Sequence, residues 1–176
     1  RAARNVGGEF IQISPASKNC INIMEIRKVD NSVNELLDGP TLDASALAGK
    51  IQRLHIFFSL LIPDMSHEEK QLLDEALIKT YARKGITHKN ESLTDPQHPE
   101  QYKKMPILED VYNVLLESED TKRLAHILNR LVHGSASSFN QQTNVDLTNK
   151  YTVLDISELT GSSDLLTVGM FVALDY

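Results

Sequence analysis

The sequence predicts a predominantly helical α/β fold in which two short strands are separated by a long helical passage. The first strand is predicted at residues 9–13, where polar and apolar residues alternate up to Ser14-Pro15. The second strand is predicted at residues 151–156. About four helices are predicted between them, because apolar residues recur there at steps of three and four. This is far more chain than a simple crossover requires, so we expect the helices to form a subdomain inserted between the strands.

The first two predicted helices follow Pro40. The first is expected from about Asp43 to Ile62, with Asp43 or Thr41 as its cap. Its C-terminal half is apolar nearly all round, so that it either lies at the centre of a helical layer or meets a partner. The second helix begins with a capping box, Ser66-His67-Glu68-Glu69, and is expected to stop near Gly85. The apolar residues expected to face inward on these two helices are Leu47, Ile51, Leu54, Phe58, Leu61, Leu73, Ala76, Leu77 and Tyr81.

The remaining helices follow a polar stretch, residues 86–104, which is expected to be exposed. Met105-Pro106 is expected to open the third helix, with Pro at the first helical position. Ser118 and the two acidic residues after it are expected to cap the fourth helix, which ends at Gly134. An apolar, helix-like segment, residues 165–174, stops without a cap, and Arg1 is not an initiator Met, so both ends are expected to be cut from a longer chain.

Composition restricts the function classes. The 176 residues are 41% hydrophobic and 24% charged, enough for one globular domain or for a sheet fragment plus a helical subdomain. No apolar run approaches the roughly 18 residues of a membrane helix. The single Cys20 excludes an internal disulfide and a Cys-rich zinc site, and it fits a reducing compartment. The net charge of -6 argues against a dominant nucleic-acid surface, although a local basic patch stays open.

Common catalytic motifs are incomplete in this chain. Gly49-Lys50 lacks the Ser or Thr that a phosphate-binding loop needs after its lysine, since Ile51 follows. The zinc-protease pattern that begins at His67 fails at Gln71. His126 and His133 have no third ligand at a suitable spacing, so no metal site and no catalytic residue are predicted. His55 is interpreted as a half-buried packing residue, because no nucleophile is placed beside it by sequence.

Two apolar runs end in an aspartate, as does the NTPase strand that holds magnesium through water. They are residues 152–155, ending in Asp155, and residues 171–175, ending in Asp175. Neither aspartate is followed by a Glu that would polarise the attacking water. The motif is thus incomplete at both positions. Asp155 is kept ahead of Asp175 as the candidate for contact with a nucleotide, and the alternative is that it caps the next turn.

Several short pieces, taken in order, resemble the VirB-four (TraC/TraE-like) ATPases, the motor proteins of conjugation and type IV secretion. The resemblance covers nearly the whole chain. The sequence is most similar to the versions of these ATPases that are found on conjugative transposons of Gram-positive bacteria. One departure is Asn22-Ile23, where many relatives have Asn-Pro. The pieces are Gly7-Gly8-Glu9 with residues 11–15, residues 21–26, residues 105–112, Gly134-Ser135, Phe139-Asn140, residues 143–146, and residues 154–156 with Leu159.

The resemblance implies a RecA-like sheet interrupted by an all-α subdomain. Residues 1–40 would be a sheet segment, residues 41–134 the inserted subdomain with an exposed loop at 85–105, and residues 135–176 the return to the sheet with strand 151–156 and a terminal helix. The phosphate-binding loop would precede Arg1, and the magnesium-binding strand would follow Tyr176. ATP and magnesium are therefore expected only in the full-length parent, and the fragment itself is expected to be inactive. Gly134, Ser135, Phe139 and Asn140 would form the hinge by which the subdomain rejoins the sheet.

The resemblance also implies a setting for the parent. It would power DNA or protein translocation or pilus assembly as a homo-oligomeric ring, on the cytoplasmic side at the inner face of the membrane, with other secretion components as partners. Direct DNA binding stays open. Arg123 and Arg130 could reach a neighbouring subunit's phosphate, the alternative being solvated surface charges. A different class also stays open, a stand-alone helical module that binds a partner through Phe57, Phe58, Leu60 and Leu61.

Overall fold

The computed structural model describes residues 7–14, 17–27, 45–134, 136–147, 152–159, 161 and 163–175. Helices dominate, and the strands are short. The strands are β1 (Glu9–Gln12), β2 (Thr94–Asp95), β3 (His98–Tyr102) and β4 (Thr152–Asp155). The α-helices are α1 (Ala46–Leu61), α2 (His67–Ala82), α3 (Leu108–Leu115), α4 (Lys122–Val132) and α5 (Ser163–Asp175), and short 3₁₀ turns lie at Asn90–Leu93, Glu119–Thr121, Ser137–Phe139 and Ser157–Leu159.

Strands β1 and β4 pair with each other in parallel, although they lie at opposite ends of the chain. Their register places Phe10 opposite Val153 and Ile11 opposite Leu154. The Ile13 N–H extends the ladder by donating to the Asp155 carbonyl at 2.9 Å. Parallel strands cannot be joined by a tight turn, and here α1 to α4 occupy the connection between them. Among the described residues, two strands and four α-helices between them are thus present, as the sequence predicts, although some of the helix boundaries differ.

Helix α1 begins later than the sequence pattern suggests. Its N-cap is Ser45, whose hydroxyl accepts the Ala48 N–H at 3.1 Å. The expected caps Thr41 and Asp43 lie outside the described residues, and the expected start at Asp43 is wrong by three residues. Thr, Asp and Ser are all good caps, so the sequence alone cannot select one of three such residues spaced two apart.

The capping box of α2 is confirmed. Glu69 N–H donates to the Ser66 hydroxyl at 3.1 Å, and the Ser66 N–H donates to the Glu69 carboxylate at 3.2 Å. Gly85 follows the helix with a φ of 75°, a left-handed conformation that favours glycine, close to the expected stop.

The expected start of α3 at Pro106 is wrong. The helix begins at Leu108, and the Asp110 carboxylate caps it by accepting the Ile107 N–H at 2.8 Å. Pro106 lies before the helix, and its carbonyl accepts a hydrogen bond from Asn22. The start of the helix thus coincides with the Asp110 cap and with a tertiary contact that sequence spacing does not report.

Residues 85–105 are not simply an exposed loop. Strands β2 and β3 form a small antiparallel hairpin, whose tip is exposed. Its base is anchored, because Ile86, Leu93 and Met105 are buried. The Lys103 N–H also donates to the Leu93 carbonyl at 2.7 Å.

One hydrophobic core joins the strands to the helices. Ile11 of β1 and Ile13, which directly follows the strand, are buried together with side chains from α1 to α5. The Phe57 ring packs 5.1 Å from Phe58 and 5.2 Å from Phe171, which fastens α5 to α1. The division of the chain into a sheet part and an inserted helical part at residues 40 and 134 stays a prediction.

The terminal helix is confirmed as α5, and the strand-like interpretation of residues 171–175 is wrong. Helix α5 lies so close to the preceding 3₁₀ turn that a Cβ built on Gly169 would meet Leu159 at 2.7 Å. Close packing against this turn therefore favours glycine at position 169. Among the described residues, no helix is long and apolar enough to cross a membrane.

Candidate functional site

A polar junction lies beside the paired strands and is built from residues 18–25, 105–109 and 138–144. Asn144 holds the first of these segments through three hydrogen bonds. Its N–H donates to the Cys20 carbonyl at 3.1 Å, its side-chain oxygen accepts the Cys20 N–H at 2.7 Å, and its amide donates to the Lys18 carbonyl at 2.7 Å. The junction thus ties two segments that are more than 120 residues apart in sequence.

Asn22 is the buried centre of the polar junction, with 0% of its surface exposed. Its side-chain amide donates to the Pro106 carbonyl at 2.8 Å and lies 3.4 Å from the Gln142 side-chain oxygen. Its side-chain oxygen accepts the Met24 N–H at 3.1 Å. A buried amide must find such partners, because leaving it unpaired costs about 1–3 kcal/mol.

The side chains around Asn22 complete the network. The Asn22 N–H donates to the Thr143 hydroxyl at 3.0 Å, and that hydroxyl donates to the Glu25 carboxylate at 2.7 Å. Gln142 donates to the Met105 carbonyl at 2.8 Å. Residues from three of the sequence pieces that carry the family resemblance, residues 21–26, 105–112 and 143–146, therefore meet in one place.

The residues predicted as a hinge fix helix ends. Asn140, which is 3% exposed, accepts the Glu109 N–H at 2.7 Å and donates to the Val132 carbonyl at 3.2 Å. It therefore links the start of α3 to the end of α4. Phe139 is buried in the core, and Ser135 lies outside the described residues.

Gly134 ends α4 by close approach and without a positive φ. A Cβ built on it would meet the Arg130 carbonyl oxygen at 2.5 Å. The neighbouring Ser138 hydroxyl donates to the Ser14 carbonyl at 3.1 Å, which joins this segment to the end of β1. Movement about Gly134, Phe139 and Asn140 stays a prediction, since these contacts describe how the segment is fastened.

Asp155 lies at the end of β4, and its carboxylate caps the turn that follows. It accepts the Ser157 N–H at 3.0 Å. The Ser157 hydroxyl and N–H together lower the pKa of Asp155. The turn-capping alternative is thus observed, and nucleotide contact by Asp155 stays a prediction.

A charge cluster around a buried ion pair was not foreseen from the sequence, and it consists of Arg27, Lys50, Arg53 and Asp175. Lys50 Nζ lies 2.6 Å from Asp175 Oδ2, and the two side chains are 0% and 5% exposed. Arg53 Nε lies 2.6 Å from Asp175 Oδ1 without hydrogen-bond alignment, so we regard that pair as a charge contact. Arg27 donates to the Asp175 carbonyl at 3.0 Å.

The charge cluster joins the helical layer to the C-terminal end of α5. A buried ion pair carries a large desolvation penalty, which only close partners offset. Tyr81 lies fully buried near the same group and donates its hydroxyl to the Met24 carbonyl. Burial raises the pKa of the Tyr81 phenol, and the negative charge of Asp175 raises it further.

The predicted partner surface on α1 is partly wrong. Phe57 and Phe58 are both 0% exposed and belong to the core, so they cannot contact a partner. Leu61 is partly buried against the same core. Leu60 is 56% exposed, and Ile56 one turn earlier is 60% exposed. The outer stripe of α1 is thus Ile56 and Leu60.

The other ionisable candidates make structural pairs. His55 is half-buried, as expected, and lies 2.8 Å from Asp74 of α2. His133 stacks edge-on against Tyr112, with ring centroids 5.1 Å apart. In the part of the chain that the structure describes, no three His, Cys, Asp or Glu side chains come together to hold a metal ion.

Arg123 is held within the chain. Its guanidinium donates to both Glu69 carboxylate oxygens, at 2.9 and 2.7 Å, and lies 2.6 Å from Asp64. Hydrogen bonding to Arg123 is the main cause that lowers the pKa of Glu69. Arg123 therefore ties α4 to the start of α2, so a neighbouring phosphate would have to displace two carboxylates to reach it.

Comparison with solved structures gives an informative likeness. No protein-family model matches the chain, and no curated protein matches it either. A solved structure of VirB4 of Thermoanaerobacter pseudethanolicus does match, with a TM-score of 0.76 and 26% sequence identity. The match covers 98% of this chain, and the chain spans 62% of the length of that VirB4 chain. The resemblance to VirB4 that was drawn from the sequence is thus confirmed, and over nearly its whole length the chain is similar in structure to a segment of VirB4.

Proposed function

We propose that the chain is part of a type IV secretion motor ATPase and forms the segment between its phosphate-binding loop and its magnesium-binding strand. The structural match to VirB4 over 98% of the chain is the observation that carries this proposal. The parallel pairing of β1 with β4 around a helical insertion supports it, since parallel strands need a long connection, which the helices here supply.

The proposal assigns the nucleotide chemistry to residues outside the chain. Hydrolysis needs positioned phosphates, a metal ion and an oriented water. Within the chain, the Asp155 carboxylate already accepts the Ser157 N–H, and Arg123 is paired with Glu69 and Asp64. ATP and magnesium would therefore be bound by the parent, and the isolated chain would neither bind nor hydrolyse ATP.

The proposed share of this segment is mechanical. The polar junction holds residues 18–22 against the loop before α3, and Asn140 holds α3 against α4. A shift of the strands would pass through these hydrogen bonds to the helices. The helices would then contact a neighbouring subunit of a ring, or another secretion component, at the cytoplasmic face of the membrane. DNA contact and an origin on a conjugative transposon remain parts of the proposal that need their own tests.

The test starts from the parent reading frame. The proposal expects a Gly-x-x-Gly-x-Gly-Lys-Ser/Thr sequence upstream of Arg1 and an apolar strand ending in Asp-Glu downstream of Tyr176. The purified parent should hydrolyse ATP, and replacing the lysine of that loop by alanine should abolish hydrolysis. Absence of both motifs, or a parent that does not hydrolyse ATP, would contradict the proposal.

A second candidate function is a stand-alone helical interaction module. The exposed apolar pair Ile56 and Leu60 on α1 favours it, because an i, i+4 pair is the usual anchor of helix-in-groove contacts. The same reading frame separates the two functions. A chain without flanking nucleotide motifs that still binds a partner through Ile56 and Leu60 would support the module.

A further inference from the structure

Helix α2 carries an exposed stripe of charged side chains, and the sign of the charge changes along it. Glu68 and Glu75 come first, and Lys79 and the C-cap residue Arg83 follow. All four are exposed, and each lies one or two helical turns from the next, so they share one face of the helix. The helix dipole favours acidic residues in the first turn and basic ones in the last, and Glu75 lies in neither. The dipole therefore does not account for the whole pattern.

The two halves of the stripe are not neutralised by each other within the chain. Lys79 Nζ lies 2.6 Å from Glu117 Oε2, and Arg83 lies 2.5 Å from the other oxygen of that carboxylate, so two cations share one anion. Glu75 precedes Lys79 by four residues, a spacing at which the two could pair, yet Lys79 is directed to Glu117. Within the described ranges, no cation pairs with Glu68 or Glu75. The stripe thus has an excess of negative charge at one end and of positive charge at the other.

We propose that this stripe binds the same stripe of a second copy of the chain, with the two α2 helices antiparallel about a two-fold axis. At a rise of 1.5 Å per residue, Glu68 and Arg83 lie about 22 Å apart along the helix. In the antiparallel arrangement, Glu68 of each copy faces Arg83 of the other, and Glu75 lies within one turn of Lys79 of the other. The two-fold axis forms each ion pair twice, and such dimers are the commonest homo-oligomers.

Charge complementarity selects a second copy over other occupants of this surface. Nucleic acid or an acidic peptide would match Lys79 and Arg83, but Glu68 and Glu75 in the same stripe would repel it. A basic partner would meet the reverse conflict. An occupant that suits both ends must carry the two signs in the reverse order, and another α2 does so when it is turned end to end. A two-fold contact closes at two copies, so it differs from a head-to-tail ring contact and does not rest on the proposed function.

Photo-cross-linking in the full-length protein tests the arrangement of the two helices. Gln71, an exposed residue of α2 between Glu68 and Glu75, is replaced by benzoylphenylalanine. Unlabelled and isotope-labelled copies are mixed, so that mass spectrometry distinguishes a link between copies from a link within one copy. The expected product joins position 71 of one copy to residues 79–84 of the other. The same replacement at Gln101, exposed on the hairpin, is the control and should give no link to α2 of a second copy.

Charge reversal tests the proposed ion pairs with the same readout. Glu68→Lys combined with Glu75→Lys makes the stripe uniformly basic without removing an ion pair within the described residues. It should lower the yield of the link from position 71 at least about fivefold, because the two stripes then repel each other. The matched control is Glu9→Lys combined with Glu91→Lys, which changes the net charge equally at exposed positions outside α2 and should leave the yield unchanged. Exposed ion pairs are screened by salt, so the yield from the unreversed stripe should also fall as the ionic strength rises.

Several results would overturn this contact. A link from position 71 to residues 68–72 of the second copy would show parallel helices, and a link to another protein or to nucleic acid would show a different occupant. The contact would equally be refuted by the absence of any link between copies, or by a yield that the reversal of Glu68 and Glu75 does not change.

Discussion

Replacing Asn22 by alanine should destabilise the chain strongly, because this one side chain joins three segments. The change removes hydrogen bonds to the Pro106 carbonyl and from the Met24 N–H and the weaker contact with Gln142, all at a site with no exposure. At least two buried backbone groups lose their partner, and each unsatisfied group costs about 1–3 kcal/mol. We therefore expect the free energy of unfolding to fall by about 2–5 kcal/mol.

Urea unfolding followed by circular dichroism measures this loss. The matched control is Asn113→Ala, an exposed position on α3, for which a change within about 0.5 kcal/mol is expected. A further variant, Asn22→Leu, keeps the branched shape and the number of side-chain heavy atoms, and it should stay destabilised, because the polar groups remain unpaired. If Asn22→Ala lowered the free energy of unfolding as little as the control does, the stabilising role of the polar junction would be refuted.

Three more predictions test other parts of the account. Gly134→Ala should lower the free energy of unfolding by about 1–3 kcal/mol, because the new Cβ would lie 2.5 Å from a carbonyl oxygen. The control Gly161→Ala, whose Cβ would meet nothing within 4 Å, should be nearly neutral, and equal effects of the two changes in a thermal melt would contradict the close approach at Gly134. Asp175→Ala should cost about 3–5 kcal/mol in a denaturant titration, because it leaves a fully buried ammonium without its carboxylate, and a neutral result would refute the buried ion pair. Phe57→Ala should lower the free energy of unfolding by about 3–5 kcal/mol, and Leu60→Ala should lower it by less than about 0.5 kcal/mol. The reverse order in the same titration would show that Phe57 is exposed and available to a partner.

The elements that depend on short stretches of sequence could be predicted. The capping box at Ser66 needs only residues three apart, and the apolar spacing of α2 and α4 needs only one helix face. The strands β1 and β4 were also within reach, since alternation and strand-end residues mark them locally.

The features that depend on distant contacts could not be predicted. Lys50 and Asp175 are 125 residues apart, and nothing in either local pattern reports that they meet. Phe57 packs against Phe171 of α5, and the pattern of α1 alone left open whether its apolar residues lie in the core or meet a partner.

The candidate site shows both cases at once. Asn22, Asn140 and Thr143 stood out in sequence as parts of a family resemblance, yet their hydrogen bonds appear only when the segments are folded together. The hydrogen bond from Asn22 to the carbonyl of Pro106, which lies before its helix, is likewise formed only in the folded chain. Resemblance located these residues, and the structure explains what they hold.

ATP binding measured side by side on the 176-residue chain and on its full-length parent is the most direct test of the central claim. Titration calorimetry with ATP and magnesium should detect binding to the parent and none to the chain, and only the parent should release phosphate. ATP binding or turnover by the chain alone would contradict the claim that its nucleotide chemistry lies outside these residues.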